Sequence, residues 1–225
     1  MTSAPVGAFF DIDHTVLEVN SGTKWVGYQW KSRRMKLPEL LRALWWTAQY
    51  RFGMLDFEAM AGRVVAQYRG LEVAPFEQEV AQWFEREIAA TICVEARERI
   101  AEHRAAGHVV ALLTSATRFL SKPVGHTLGV EHVLCTEVGE HEGRFTGEHL
   151  RPACYGPGKV ERAEAFAAEH GIDLATSYFY SDSVSDLPML ERVGQPRVVN
   201  PDPRLRRVAQ RRGWGAEIWR AAAGE

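Results

Sequence analysis

The residues best suited to chemistry stand in one short stretch, Phe9-Phe10-Asp11-Ile12-Asp13-His14-Thr15-Val16, where an apolar run ends on two carboxylates two residues apart. The run Val6–Phe10 predicts a buried strand, and side chains at i and i+2 of an extended chain share a face. Two adjacent anions at a sheet edge are unfavourable unless something positive sits with them. A divalent metal or a phosphoryl-binding role would supply it. Asp13 could instead cap the turn that follows, as Asp readily does.

Two further predicted strands end on polar side chains. His108–Leu113 closes on Thr114-Ser115-Ala116-Thr117, and Ser177–Tyr180 closes on Ser181-Asp182-Ser183-Val184-Ser185-Asp186. Lys159 stands just inside a helix opened by Pro157-Gly158. Taken singly, Lys159 could be a solvated lysine, Thr114 an N-cap and Asp186 a helix N-terminal acid. Taken together, the carboxylates, hydroxyls and single lysine form a set suited to phosphoryl transfer. Carboxylate oxygens are the ligands magnesium takes, so Asp11 and Asp182 could hold the ion, with Asp186 on its waters. An Asp facing phosphorus can act as nucleophile, and Asp13 is placed to protonate the leaving oxygen and then deprotonate a water. Thr114 could donate to a phosphoryl oxygen, with the N–H groups of Ser115 and Ala116 at the start of the next helix adding donors. Lys159 would neutralise charge on nucleophile and phosphoryl group.

The elements that must position these residues alternate between strand and helix. Helices are expected over about 95–106, 118–128, 157–170, 187–193 and 203–212, and a hairpin within 131–150 with Gly139, Gly143 and Gly147 as turn formers. That order implies an α/β, Rossmann-like parallel sheet with helices on both faces and ligands beyond the carboxyl ends of its strands. Residues 24–90 instead read as several amphipathic helices carrying five of the seven tryptophans, an insertion with its own apolar cluster. The expected division is a core of residues 1–17 and 92–225 and a helical cap of residues 18–91. Trp25 and Tyr28, near the acidic turn, are candidates for a pocket roof, and His14 for a substrate contact.

With 225 residues, 46% of them hydrophobic, the chain can bury one good core and a second small one. A net charge of -2 gives no general attraction to nucleic acid or membrane. Cys93, Cys135 and Cys154 lack metal-site spacing and fit a reducing compartment. With no basic-then-apolar leader and no apolar run of about 18 residues, a cytoplasmic protein is expected. Lys31, Arg33, Arg34 and Lys36, followed by Trp45-Trp46, read as a solvated helix face or as a docking face for anionic lipid. Arg204, Arg207 and Arg211 share one face of a C-terminal helix.

The four motifs resemble those of the haloacid dehalogenase superfamily. Its Asp-x-Asp-x-Thr/Val stands here as Asp11 to Thr15, its hydrophobic strand ending in Thr or Ser as Val109 to Thr114, its basic helix start as Lys159, and its acidic pair as Asp182 and Asp186. The resemblance implies Asp11 as nucleophile, Asp13 as acid and base, and Mg2+ on Asp11, Asp182 and the backbone carbonyl of Asp13. It further implies a helical cap closing over the site, in the phosphoserine-phosphatase-like branch. Asp13 favours phosphate chemistry, since carbon–halogen-cleaving members lack the second Asp. The expectation is thus a Mg2+-dependent phosphatase acting on a small phosphorylated metabolite, with a phosphotransferase or an idle phosphate-binding module as alternatives. Phosphoserine phosphatases carry a Glu nine residues after the nucleophile to hold the substrate ammonium; Asn20 stands there in this chain. Losing that carboxylate argues against phosphoserine, while the Ser-Asp-Ser pattern resembles histidinol-phosphate phosphatases, whose imidazole an aromatic cap would suit. Oligomeric state is left open by the sequence.

Overall fold

A computed structural model of the protein describes residues 4–42, 45 and 56–222. Strand β1 (Gly7–Phe10) is buried at every position and lies between β2 (Val109–Thr117) and β6 (Tyr178–Ser181), parallel to both. With β3 (His132–Thr136), β7 (Gln195–Val199) and β8 (Ala216–Glu217) the sheet runs β3-β2-β1-β6-β7-β8, all parallel. A parallel sheet must be covered on both faces, and alternation along each strand divides the core accordingly. Phe9, Ala111, Leu113 and Phe179 face α7 (Pro157–His170), α8 (Leu187–Arg192) and α9 (Pro203–Arg212). Phe10, Val110, Leu112 and Tyr180 face α5 (Val94–Ala105) and α6 (Arg118–Leu128). Phe10 stacks on Tyr180 with centroids 4.4 Å apart, and the buried Trp219 joins them from the C-terminal segment.

The insertion between β1 and α5 consists of α1 (Ser21–Lys31), a helical segment at 37–42 (α2), α3 (Phe57–Ala66) and α4 (Val73–Glu87), closed by a 3-10 turn at Ala89–Thr91. Among the described residues its buried apolar side chains do not form a separate cluster, contrary to the sequence reading. Trp25, Val65, Val80, Trp83 and Phe84 run continuously into the Phe10 face of the sheet. Trp30 and Trp45 are exposed, as are Lys31, Arg33 and Lys36, whereas Arg34 pairs with Glu79; Trp46 lies outside the described residues.

The hairpin of β4 (Val138–His141) and β5 (Arg144–His149) belongs structurally with the insertion. Its two-residue turn, Glu142-Gly143, holds φ at 49° and 72°, as a tight hairpin requires. Gly139 and Gly147, expected in turns, lie inside the two strands. Backbone bonds tie the hairpin to the α3–α4 connection: Gly70 N–H to Phe145 O at 2.8 Å, Phe145 N–H to Leu71 O at 3.0 Å and Val73 N–H to Gly143 O at 2.9 Å. Among the described residues no helix is long and apolar enough to cross a membrane.

Candidate active site

The carboxyl ends of β1, β2 and β6 bring the predicted residues together. The Asp11 N–H donates to Tyr180 O at 2.9 Å, so Asp11 is held in line with the strand although the chain turns away just beyond it. His14 makes that turn in the left-handed region, φ 58°, and its carbonyl is held by the Asn200 amide at 3.0 Å. The loop thereby returns Asp13 to the start of α1. There the Ser21 N–H donates to Asp13 Oδ1 at 2.9 Å and the Asn20 amide to Oδ2 at 3.0 Å, while Asn20 Oδ1 caps the helix through the Thr23 N–H.

Lys159 reaches the same place from the first turn of α7. Its side chain is only 2% exposed, and its Nζ lies 2.7 Å from both Asp11 Oδ1 and Asp186 Oδ2. Gly158 permits this approach, because a Cβ there would overlap the Ala153 carbonyl. Asp186 Oδ2 also accepts the Ser181 hydroxyl at 2.7 Å. Asp202 secures the loop between them, its carboxylate accepting the Val184 N–H at 2.7 Å and its N–H donating to Asp182 O at 2.8 Å.

The charges are unbalanced: Asp11, Asp13, Asp182 and Asp186 converge on a well with one ammonium. Burial, with Asp186 and Asp13 adding repulsion against the pull of Lys159, raises the Asp11 carboxyl to about 7. Burial and the repulsion of Asp11 and Asp186 push Asp182 well above the carboxylate range. Burial raises Asp13 too, opposed by the Ser21 N–H bond. Burial disfavours a charged Lys159, but Asp11 and Asp186 overcome it and raise its pKa. Asp182 has no side-chain hydrogen bond among the described residues, and Asp11 has one oxygen outside its bond to Lys159. Asp186 likewise has one oxygen, Oδ1, outside its bonds to Lys159 and Ser181, so Asp11, Asp182 and Asp186 each have an oxygen left for a hard divalent cation.

The well, about 30 Å³, opens beside a second cavity of about 330 Å³ under the helical insertion; Asp13, Asn20 and Ser115 line both.

The haloacid dehalogenase-like hydrolase family model matches residues 8–191. The chain belongs to that family. It is 36% identical over 212 residues to the "Inhibition of morphological differentiation protein" of Streptomyces azureus, covering 92% of this chain and 76% of that one. It is 30% identical over 215 residues to a histidinol-phosphatase of Neisseria meningitidis, covering 92% of this chain and 96% of that one. A phosphoserine phosphatase of Mycobacterium tuberculosis is 31% identical over 221 residues, 96% of this chain and 71% of that one. Among solved structures, a Bordetella pertussis protein of unknown function superposes with TM-score 0.83 at 33% identity, over 96% of this chain and 99% of its own. A phosphoserine phosphatase in a phospho-aspartyl analogue form shares the fold at TM-score 0.70 and 19% identity, over 96% and 94% of the two chains.

Within this hydrolase the well gathers Asp11, Asp13, His14, Asn20, Ser115, Lys159, Asp182 and Asp186. Thr114, expected in the site, is buried at 1% exposure and is not among the residues lining the well or the larger cavity; its Oγ1 accepts the Ala116 N–H at 3.2 Å. The expectation that Ser115 and Ala116 begin a helix is corrected: β2 continues to Thr117 and α6 starts at Arg118. A register shift against β3 after Leu113, with the Thr136 hydroxyl donating to Ser115 O at 2.9 Å, keeps those residues extended. Trp25 lines the larger cavity instead of the well. Ser181, Asp202 and Tyr155 were not singled out from sequence. Ser181 was visible as the first residue of the Ser-Asp-Ser-Val-Ser-Asp run and Asp202 as the N-cap before Pro203 of α9, but nothing local tied Asp202 to the well, and Tyr155 lies in a loop with no local signal.

Proposed function

We propose that the protein is a magnesium-dependent phosphomonoesterase that works through an aspartyl-phosphate on Asp11. The supporting observation is the division of labour among the carboxylates. Lys159 binds Asp11 and Asp186 at 2.7 Å each, whereas Asp13 stands outside that ion triplet and is oriented by Ser21 and Asn20. A nucleophile needs a carboxylate kept ionised, and a general acid needs one able to hold a proton. Burial raises the pKa of both carboxyls; at Asp11 it is opposed chiefly by the Lys159 ammonium 2.7 Å away, at Asp13 by the Ser21 N–H bond.

Asp11 and Asp182 would hold the magnesium, which when bound supplies positive charge to the phosphoryl oxygens and to the anionic well. One carboxylate oxygen of Asp11 attacks phosphorus, the bond from phosphorus to the ester oxygen breaks, and the carboxyl of Asp13 gives its proton to the leaving alkoxide. Asp13, now ionised, takes a proton from a water that attacks the aspartyl-phosphate. Phosphate leaves and the Asp11 carboxylate is regenerated. Lys159 holds Asp11 in one orientation and offsets charge throughout. Relatives carrying activity names include a histidinol-phosphatase and a phosphoserine phosphatase, which supports monoester hydrolysis and leaves the alcohol to be identified.

The test is phosphate release from p-nitrophenyl phosphate with magnesium and with chelator, in the parent protein and in Asp11→Asn. Turnover should need the metal and vanish in the variant. Substantial metal-dependent hydrolysis by folded Asp11→Asn would exclude Asp11 as the nucleophile.

A further inference from the structure

The cavity beside the well has a composition that selects a substrate. Its walls include Trp25, Met60, Val64, Phe76, Phe119 and Phe145, and Asp13 and Asn20 form part of its boundary with the well. Among the described residues Asp13 and Glu39 are the charged side chains along it, and no lysine or arginine lines it. Most polar groups on its wall bond to protein, the buried Ser21 Oγ being an exception with no hydrogen-bond partner among the described residues. The Trp25 indole and Gln29 amide donate to the Tyr68 hydroxyl at 3.3 and 3.5 Å, the Gln67 amide donates to Arg63 O at 3.2 Å, and the Thr136 hydroxyl is engaged with Ser115 O.

Asp13, as the acid, must stand beside the leaving oxygen, so the alcohol it releases extends from Asp13 into this space. Among the described residues an α-carboxylate there would find no cation along the wall, and an unpaired buried charge is strongly unfavourable. Sugar hydroxyls would displace water for walls with few free partners. A dry apolar cavity of about 150 Å³ is filled by one benzene ring, so the 330 Å³ here takes roughly two rings or a chain of similar bulk.

We infer that the leaving group is a bulky, mostly hydrocarbon alcohol, so that the substrate is an alkyl-, prenyl- or aryl-type phosphate monoester and not a phosphorylated amino acid or sugar. This rests on the phosphomonoesterase reading and narrows it.

The experiment is a series of n-alkyl monophosphates from ethyl to dodecyl, below their micelle concentrations, beside phosphoserine, histidinol phosphate, glucose 6-phosphate and p-nitrophenyl phosphate. Each methylene entering the cavity should raise kcat/KM about fourfold, with the gain in KM and a plateau near about ten carbons. Octyl phosphate should exceed phosphoserine and histidinol phosphate by at least about a hundredfold. Ala61→Phe, which narrows the cavity, should move the plateau to shorter chains. A flat alkyl series, an unmoved plateau in Ala61→Phe, or phosphoserine or histidinol phosphate matching octyl phosphate would overturn the inference while leaving the phosphatase reading in place. Failure to hydrolyse any ester, p-nitrophenyl phosphate included, would overturn both.

Discussion

Replacing Lys159 by Met tests the electrostatic logic of the well. Met has similar bulk and keeps an apolar stem over Phe179, where the Lys159 Nζ now stands 5.5 Å from the ring centroid, so packing is largely preserved. What is lost is the ammonium 2.7 Å from two carboxylates whose side chains are 10% and 2% exposed. Removing one partner of a buried ion pair costs about 3–5 kcal/mol, because the other charge is left uncompensated. The pH dependence carries the sign. Without Lys159 the folded-state pKa of Asp11, already raised to about 7 by burial, rises further above its unfolded value, and the folded state binds more protons than the unfolded one. Stability of the variant therefore increases as pH falls. Urea unfolding followed by circular dichroism, without added metal, should show the full deficit at about pH 8 and a smaller one at about pH 5.5. A variant within about 1 kcal/mol of the parent at pH 8, or a deficit that deepens on acidification, would refute this account of the well.

Other expectations follow from single contacts. Asn20→Ala removes both the α1 cap and the amide on Asp13; urea melts should show a loss of about 1–2 kcal/mol, and steady-state kinetics a fall in kcat with little change in KM. On the proposed magnesium dependence, the ion would displace protons from the raised carboxyls, Asp11 at about 7 and Asp182 above the usual range. Calorimetric titration should therefore find affinity weaker by about tenfold or more at pH 6 than at pH 8. His103 is 6% exposed, wedged between His108 Nδ1 at 2.7 Å and the Tyr180 hydroxyl at 2.9 Å, and burial lowers its pKa to about 4. The unfolded chain binds that proton from about pH 6.5 downward, so His103 should withdraw up to about 3 kcal/mol between pH 6.5 and 4. In His103→Leu that part of the acid dependence of urea stability should be missing.

The well was legible because its residues sit where local patterns end. The apolar runs into Asp11 and into Ser181 are strands by composition, and the Pro-Gly before Lys159 opens a helix, so three strand-end and helix-start positions could be placed without contacts. What was not legible depends on pairings between distant segments. β2 runs on past Thr114 because β3 and the Thr136 hydroxyl hold it, and nothing within Thr114-Ser115-Ala116-Thr117 says so. β8 is two residues, Ala216–Glu217, fixed by Asn200 N–H to Glu217 O at 2.9 Å; a segment that short has no periodicity to read. Asn20 read as a missing substrate carboxylate, yet both ends of its amide group are engaged inside the protein.

The insertion shows most clearly how a pattern can be right in kind and still miss its consequence. Amphipathic spacing in 24–90 correctly implied helices with apolar faces, and the natural reading was that those faces pack against each other. Instead Trp25 packs edge-on to Phe76 and Trp83, Phe76 meets Phe119 and Phe145 edge-on, and the rings bridge the insertion, α6 and the distant hairpin. Aromatic edges joined from three chain segments enclose space that smaller side chains of one segment would have filled. The enclosure meets the anionic well only along Asp13, Asn20 and Ser115. On the proposed mechanism, one side of that boundary would take a phosphoryl group and its metal and the other hydrocarbon, with Asp13 where the bond between them would break.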